Sequence, residues 1–283
     1  MPELPEVETV KNVLEPQLKG CCIEDIELKD TKVAAYPEPD QFIKRLKKKK
    51  ILSIKRRGKF LIINLTENIQ MIVHFRMTGT LLVASSEEMF RWERIRFFLK
   101  TPSGKKQVMS FADQRRFGRL WVFKREEDTA LCGINKLGIE PFSKDLTGEY
   151  LQDKLGRRNT AIKSGLLDQG VVAGLGNIYS DELLYICGIR PDRRCCSLKK
   201  TEWECLAGKM PQLLRFMIEK NRITAEAYLE GRGMTYRNTP YLNVYGHEGE
   251  SCPRCGTVLK KMKINGRTSV YCPLCQKKEA EKM

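Results

Sequence analysis

Four cysteines near the end of the chain set the tightest limit on how it can fold. Cys252-x2-Cys255 and Cys272-x2-Cys275 are separated by sixteen residues, the spacing of a zinc ribbon. Four thiolates complete a tetrahedral site and leave no coordination position open, so the expected zinc ion is structural. Between the pairs, residues 258–264, Asn265-Gly266 and residues 267–271 read as a β-hairpin, which presents Arg267 just past its turn. A segment this small has no core of its own and needs the metal to fold.

The other seven cysteines, Cys21, Cys22, Cys132, Cys187, Cys195, Cys196 and Cys205, show no ligand grouping and read as core or incidental thiols. Many thiols without a secretion signal point to a reducing compartment, so a cytoplasmic protein is expected. Residues 1–20 are acidic and amphipathic rather than signal-like. The apolar runs, such as residues 60–63, are too short to span a bilayer. At 283 residues there is room for two domains and a small module. The 51 Lys and Arg against 35 Asp and Glu give a net charge of +16, which calls for a polyanionic partner. His74 and His247 are the only histidines, and neither lies in a nucleophile or metal motif, which argues against a histidine-dependent hydrolase.

The first nine residues are Met-Pro-Glu-Leu-Pro-Glu-Val-Glu-Thr. Removal of Met1, the usual processing before proline, would leave Pro2 with a free secondary amine. An α-amino group titrates near pH 8, well below a lysine, so about a tenth of it is unprotonated and nucleophilic at neutral pH and can form a Schiff base with a carbonyl carbon. Glu3 is adjacent and Glu6 lies one helical turn on, so carboxylates are at hand for proton transfer. Pro5 suits the first turn of a helix whose apolar stripe is Val7, Val10, Val13, Leu14 and Leu18, with Gly20 as its stop. The competing reading is a solvated leader before a capped helix.

Beyond this helix the pattern turns to strands, at residues 51–65, 71–83, 95–99, 107–111 and 119–123. Together they predict an antiparallel sandwich over about residues 20–133. Residues 44–59 hold ten basic residues and no acid, ending at Lys59 beside a buried strand. Lys59 could there face a phosphate or a reacting carbonyl; a solvated face is the alternative. Met77, Arg115 and Phe117 sit in arginine-bearing loops where apolar groups could enter a base stack; ordinary core packing is the alternative. Residues 134–148 read as a linker. Helices are expected at 162–168, 177–187, 199–220 and 225–230. Between the first two, Gly170, Gly174 and Gly176 permit tight turns. Asn177 is expected as the N-cap of a helix mouth that attracts phosphate, or simply as the cap of a helical hairpin.

The opening nine residues resemble the formamidopyrimidine-DNA glycosylases, bacterial enzymes that repair oxidised purines. The resemblance runs on through Lys59, Met77, Asp113…Arg115-Arg116-Phe117-Gly118, residues 137–141, 160–163, 174–179, 188–192 and 244–246, and the zinc ribbon. It implies an α+β multidomain fold. Residues 1–133 would form a catalytic β-sandwich with an N-terminal helix, 134–148 the linker, 149–236 a helix–two-turn–helix DNA-binding domain and 237–283 the zinc finger. It implies base excision repair: a glycosylase and abasic-site lyase that removes 8-oxoguanine and formamidopyrimidines through a Pro2 Schiff base, then β/δ-elimination. Glu3 would handle protons with Glu6 in support, and Lys59 would contact phosphate and serve β-elimination. Met77, Arg115 and Phe117 would fill the gap left by the flipped nucleotide. Asn177 and Arg267 would grip phosphates, Arg267 being linked to δ-elimination, and Trp92 and Arg158 complete the expected DNA contacts. The implied partner is damaged or abasic double-stranded DNA, met by a monomer in the bacterial cytoplasm at the nucleoid.

The chain departs from the family pattern around the damaged base. Asn221-Arg222-Ile223-Thr224 stands where two glycines and two Ser or Thr are usual, Glu226 where a basic residue is frequent, Gln114 in place of proline, and Trp92 in place of histidine. Two further readings therefore stay open: a glycosylase of this family for other lesions, such as oxidised pyrimidines, and a non-catalytic zinc-ribbon protein that binds nucleic acid.

Overall fold

The computed structural model describes residues 2–85, 87–124, 127 and 129–277. Met1, on whose removal the Pro2 chemistry depends, lies outside them. The chain forms two compact units, one from residues 1–135 and 221–237 and the other from 136–220 and 238–283.

The first unit opens with helix α1 (Leu4–Leu18). Pro5 sits in its first turn, and Val7, Val10, Leu14 and Leu18 are buried along one stripe. Gly20 follows the C-cap at φ +84°, a left-handed conformation that suits glycine. Eight strands and a second helix follow: β1 (Cys22–Leu28), β2 (Ala34–Tyr36), α2 (Pro39–Leu46), β3 (Ile51–Arg57), β4 (Phe60–Leu65), β5 (Ile69–His74), β6 (Gly79–Ser85), β7 (Glu93–Lys100) and β8 (Lys106–Asp113). The ninth strand is β9 (Arg119–Lys124). They form two sheets, ordered β1-β7-β8-β6 and β2-β9-β5-β4-β3. The pairing is antiparallel except between the short β2 and β9, which run parallel. The sheets' apolar sides enclose the core: Leu61, Ile63 and Leu65 alternate inward on β4, as do Ile95, Phe97 and Leu99 on β7. The expected sandwich is therefore present, with one parallel edge pair that strand composition does not announce.

Residues 221–237, with helix α7 (Ala225–Glu230), pack onto this unit. The Asn221 amide is buried; its Nδ2 donates to Thr9 Oγ1 at 2.9 Å, and its Oδ1 accepts the Arg237 N–H at 2.8 Å. Thr9 in turn donates to the Pro5 carbonyl. Asn221 thus closes both ends of the segment onto α1, a structural use of the departure from glycine. The Tyr228 hydroxyl meets Thr80 Oγ1 at 3.0 Å.

The second unit contains α3 (Gly148–Leu155), α4 (Ile162–Leu166), α5 (Asn177–Ile186), α6 (Lys200–Lys220) and the hairpin β10 (Lys260–Ile264) and β11 (Arg267–Tyr271). Among the described residues no helix is long and apolar enough to cross a membrane.

Candidate active site and nucleic-acid interface

The α1 N-terminus is a capping box built from two acids. Glu3 is the N-cap; its side chain accepts the Glu6 backbone N–H, and the Glu6 carboxylate accepts the Glu3 N–H at 2.8 Å. Glu3 and Glu6 are 1% and 3% exposed, and Pro2 is buried beside them. Glu6 therefore fixes the peptide that follows Pro2, while Glu3 holds a carboxylate at the positive end of the helix dipole. Burial, then neighbouring Tyr228 and Glu6, holds the Tyr236 phenol well above its ordinary pKa. Nothing in the sequence singles out Tyr236, because only the folding of residues 221–237 onto this unit brings its phenol within the field of Glu6.

Lys59 follows Gly58 in the β3–β4 turn and is 8% exposed. Several lysines of the preceding basic run are partnered: Lys47 with Asp25, Lys48 with Glu24 and Lys49 with Glu67, while Arg45 pairs with Glu127 and Arg56 with Glu8. Much of this run is thus a paired, solvated face, and Lys59 is its buried end.

His74 ends β5, and its Nδ1 accepts the Arg76 N–H at 3.0 Å. Burial, then the Arg76 and Lys59 charges, lowers its pKa from 6.5 to about 3. The unfolded chain takes up this proton below pH 6.5 and the folded chain does not, so the contribution is present above pH 6.5 and lost as pH falls toward 3. The ring is partly solvent-exposed, so the discounted loss across that window is about 2 kcal/mol. Urea unfolding of His74→Gln between pH 7 and 4 should show a shallower decline than the parent. Parallel declines would remove His74 from the acid response.

Met77 and Phe117 are 40% and 46% exposed, so neither is a core residue. Each follows an arginine in the left-handed region, Arg76 at φ +54° and Arg116 at φ +59°, a conformation costly for non-glycine residues. Arg116 is held by a bidentate pair with Asp30, and the Arg115 guanidinium lies 4.8 Å from the Phe117 ring centroid. Trp92 is 40% exposed with Arg91 stacked on it at 4.2 Å. A cavity of about 410 Å³ opens beside this corner, lined by Thr78, Phe90, Trp92, Asp113, Arg232 and Met234 among others. Two departures from the family pattern, Trp92 and Gln114, are in its wall.

In the second unit the glycine-rich turn before α5 is organised from inside by Gln169. Its Oε1 accepts the Gly174 N–H at 2.9 Å and its Nε2 donates to the Leu175 carbonyl at 2.7 Å. Asn177 is the first residue of α5 rather than its N-cap: Gly176 takes the extended cap conformation. Asn177 still stands at the helix mouth, and its buried Oδ1 has no hydrogen-bond partner among the described residues. Arg158 pairs with Asp168 at 2.7 Å.

Arg267 is exposed at the start of β11, past a turn in which Asn265 and Gly266 both have positive φ. The hairpin is pinned to the helices: Asn265 Nδ2 donates to Ser164 Oγ, and Ser269 Oγ and Val270 N–H both donate to Asp181. Asp181 is fully buried and ion-paired to equally buried Lys163, whose Nζ also donates to the Thr268 carbonyl. The Glu182 carboxylate accepts the backbone N–H groups of Asn243, Val244 and Tyr245. Sequence reasoning missed these two α5 acids, whose hydrogen-bond partners in residues 243–245 and 269–270 lie 61 to 89 positions away.

The Sγ atoms of Cys252, Cys255, Cys272 and Cys275 lie within 4.8 Å of one another. The Cys252–Cys275 and Cys255–Cys272 pairs are 3.9 and 3.5 Å apart, against about 3.8 Å for a tetrahedron with Zn–S bonds of about 2.3 Å. The four thiolates fit one structural zinc ion and use every coordination position.

Residues 1–120 match the formamidopyrimidine-DNA glycosylase N-terminal domain, 137–228 that glycosylase's H2TH domain, and 249–278 a zinc finger found in FPG and IleRS. A formamidopyrimidine-DNA glycosylase from Pelotomaculum thermopropionicum is 41% identical over 278 residues, 98% of this chain and 99% of that protein. One from Bacillus cereus is 38% identical with the same coverage. Lactococcus lactis Fpg, solved with DNA containing an oxidised pyrimidine and with DNA containing an abasic site, gives a TM-score of 0.88 at 32% identity, covering 98% of this chain and 100% of that one. With three successive domain matches and near-complete relatives, the chain belongs to the formamidopyrimidine-DNA glycosylase family.

Proposed function

We propose that this chain is a base excision repair DNA glycosylase and abasic-site lyase acting on oxidised purines in duplex DNA. The Pro2 nitrogen, freed by removal of Met1, attacks C1′ of the flipped nucleotide. The base departs, and the sugar ring opens to leave a Schiff base with Pro2. Glu3 moves the protons of base release and ring opening, and Glu6 holds Glu3 in place. Lys59 contacts the phosphate and serves β-elimination; Arg267 serves δ-elimination. Asn177, Arg158 and Trp92 bind the DNA, and Met77, Arg115 and Phe117 fill the vacated position. Flipping is required because the glycosidic carbon is out of reach inside the duplex. The setting is the bacterial cytoplasm at the nucleoid, with the protein a monomer.

The observation that carries this reading is the buried two-acid capping box directly after Pro2. An acid pair that only capped a helix would ordinarily face water. Borohydride should trap untagged protein on abasic-site DNA as a covalent adduct, and Pro2→Gly should greatly weaken trapping. Absence of an adduct with the untagged protein would reject the Schiff-base chemistry and leave the non-catalytic binder.

A second reading concerns the lesion. Trp92 and Gln114 line the cavity beside Met77, and Lactococcus lactis Fpg has been solved with both Fapy-dG and oxidised-pyrimidine DNA. A panel of single-lesion duplexes separates the two readings. Faster excision of an oxidised pyrimidine than of 8-oxoguanine opposite cytosine would favour the second.

A further inference from the structure

The Met77 and Phe117 loops rise from neighbouring strand ends, since Gly79 at the start of β6 pairs with Asp113 at the end of β8. Three features join them. The Thr78 hydroxyl, one residue from Met77, donates to Asp113 Oδ1. The Arg115 backbone N–H is shared between Thr78 Oγ1 and Asp113 Oδ1, both at 3.1 Å. Asp113 Oδ2 accepts the Gly118 N–H at 2.7 Å. The carboxylate, 1% exposed, thus grips the Phe117 loop on both sides of its tip and the Met77 loop through Thr78. Both loops also rest on one floor: a Cβ at Gly79 would lie 3.0 Å from Phe111 Cζ, and one at Gly118 only 2.5 Å. Neither loop can shift without moving the other's hydrogen bonds.

We propose that Thr78 and Asp113 form a latch that makes the Met77 and Phe117 tips act as a single rigid wedge. They are positioning residues: neither needs to touch the reacting atoms. Each tip is aimed by a strained left-handed arginine, and two independently mobile tips would dissipate that aim. A joined pair enters the base stack together, because withdrawing one breaks charge-assisted bonds to the other. The proposal rests on the reading of Met77 and Phe117 as void-filling groups, and failure of either idea gives a distinct experimental outcome.

A wedge matters only where a stack must be opened. The latch is therefore tested by single-turnover nicking of an abasic site in a duplex and in the same strand alone. Thr78→Val removes the hydroxyl while keeping the shape. It should lower the duplex rate relative to the single-strand rate by about tenfold, the scale of one buried charge-assisted hydrogen bond. Thr78→Ser should restore the ratio. Because Asp113→Asn could weaken folding, a double-mutant cycle of Thr78→Val with Phe117→Ala gives the decisive reading. A unified wedge makes the second substitution cost less in the presence of the first, whereas independent tips make the costs add. Thr78→Val with an unchanged duplex-to-single-strand ratio, or strictly additive costs, overturns the latch. If Met77→Ala and Phe117→Ala also leave that ratio unchanged, it is the void-filling role itself that fails.

Discussion

Glu3→Gln should lower the rate of base excision by about a hundredfold to ten-thousandfold, the range removed with a general acid–base group. The substitution is selective by construction. Glutamine keeps an Oε1 acceptor for the Glu6 N–H, so the capping box survives in shape. Glu6 still receives the Glu3 N–H, so the peptide after Pro2 keeps its position. What disappears is one negative charge at a helix N-terminus, a stability cost of about 0.3–1 kcal/mol. A folded variant with its amine intact should therefore still form a borohydride-trappable adduct on a pre-formed abasic site, where no base remains to be expelled and the hemiacetal sugar also opens in water without the enzyme. The measurement is paired: single-turnover excision from a lesion duplex, and trapping on an abasic duplex, with the thermal midpoint as control. Equal losses in both assays would assign Glu3 to positioning the amine rather than to proton transfer. A drop in midpoint beyond a few degrees would make its role mainly structural.

The contrast between α1 and residues 221–237 shows how far sequence reaches. The capped helix, the strands and the cysteine ligands are readable because each is written in a local period or spacing: 3.6 residues for the α1 stripe, two for β4 and β7, two intervening residues in each cysteine pair. The inward face of β4 follows directly from alternation. Asn221 stands out in the sequence, but as a polar group near the damaged base. Its two hydrogen bonds reach Thr9, 212 positions away, and Arg237, 16 away, and no local pattern encodes either. The same holds for Asp181 and Glu182, which read as ordinary helical acids until the hairpin and residues 243–245 are laid against α5. Asn177 differs for a subtler reason: asparagine and glycine are both good caps, and the close-packed turn held by Gln169 gives the cap to Gly176. The parallel β2–β9 pair is illegible because three residues carry too little pattern to show direction.

Stripping the zinc should melt the end of the chain and weaken duplex binding, and the size of the effect follows from competing energies. Structural zinc at four thiolates contributes about 10–16 kcal/mol at neutral pH in isolated fingers, where binding and folding are one event. The hairpin has five residues in each strand, and a two-stranded ribbon alone is marginal in water. Its apolar support is a small cluster of Tyr185, Val244, Leu259 and Val270 with Cys252 and Cys272. A further restraint is the set of hydrogen bonds that Ser269 and Val270 donate to Asp181 and that Lys163 donates to the Thr268 carbonyl, each a bond to a charged group that contributes about 1.5–3 kcal/mol. That tether is too weak to replace the metal, though it holds the apo hairpin near α5 and so favours refolding when zinc returns. Arg267 would no longer be presented in a fixed position, while the first unit kept its fold. Chelation should accordingly release one zinc ion per chain and split thermal unfolding into an early and a late transition. Duplex affinity should fall at least about tenfold, and the slope of log K against log[salt] should become shallower by about 0.9 for each phosphate that the finger no longer neutralises. Added zinc should reverse all three changes. An unchanged salt slope in the zinc-free protein would separate the finger from the DNA, since a cation that withdraws from a phosphate necessarily lowers the number of counterions released on binding.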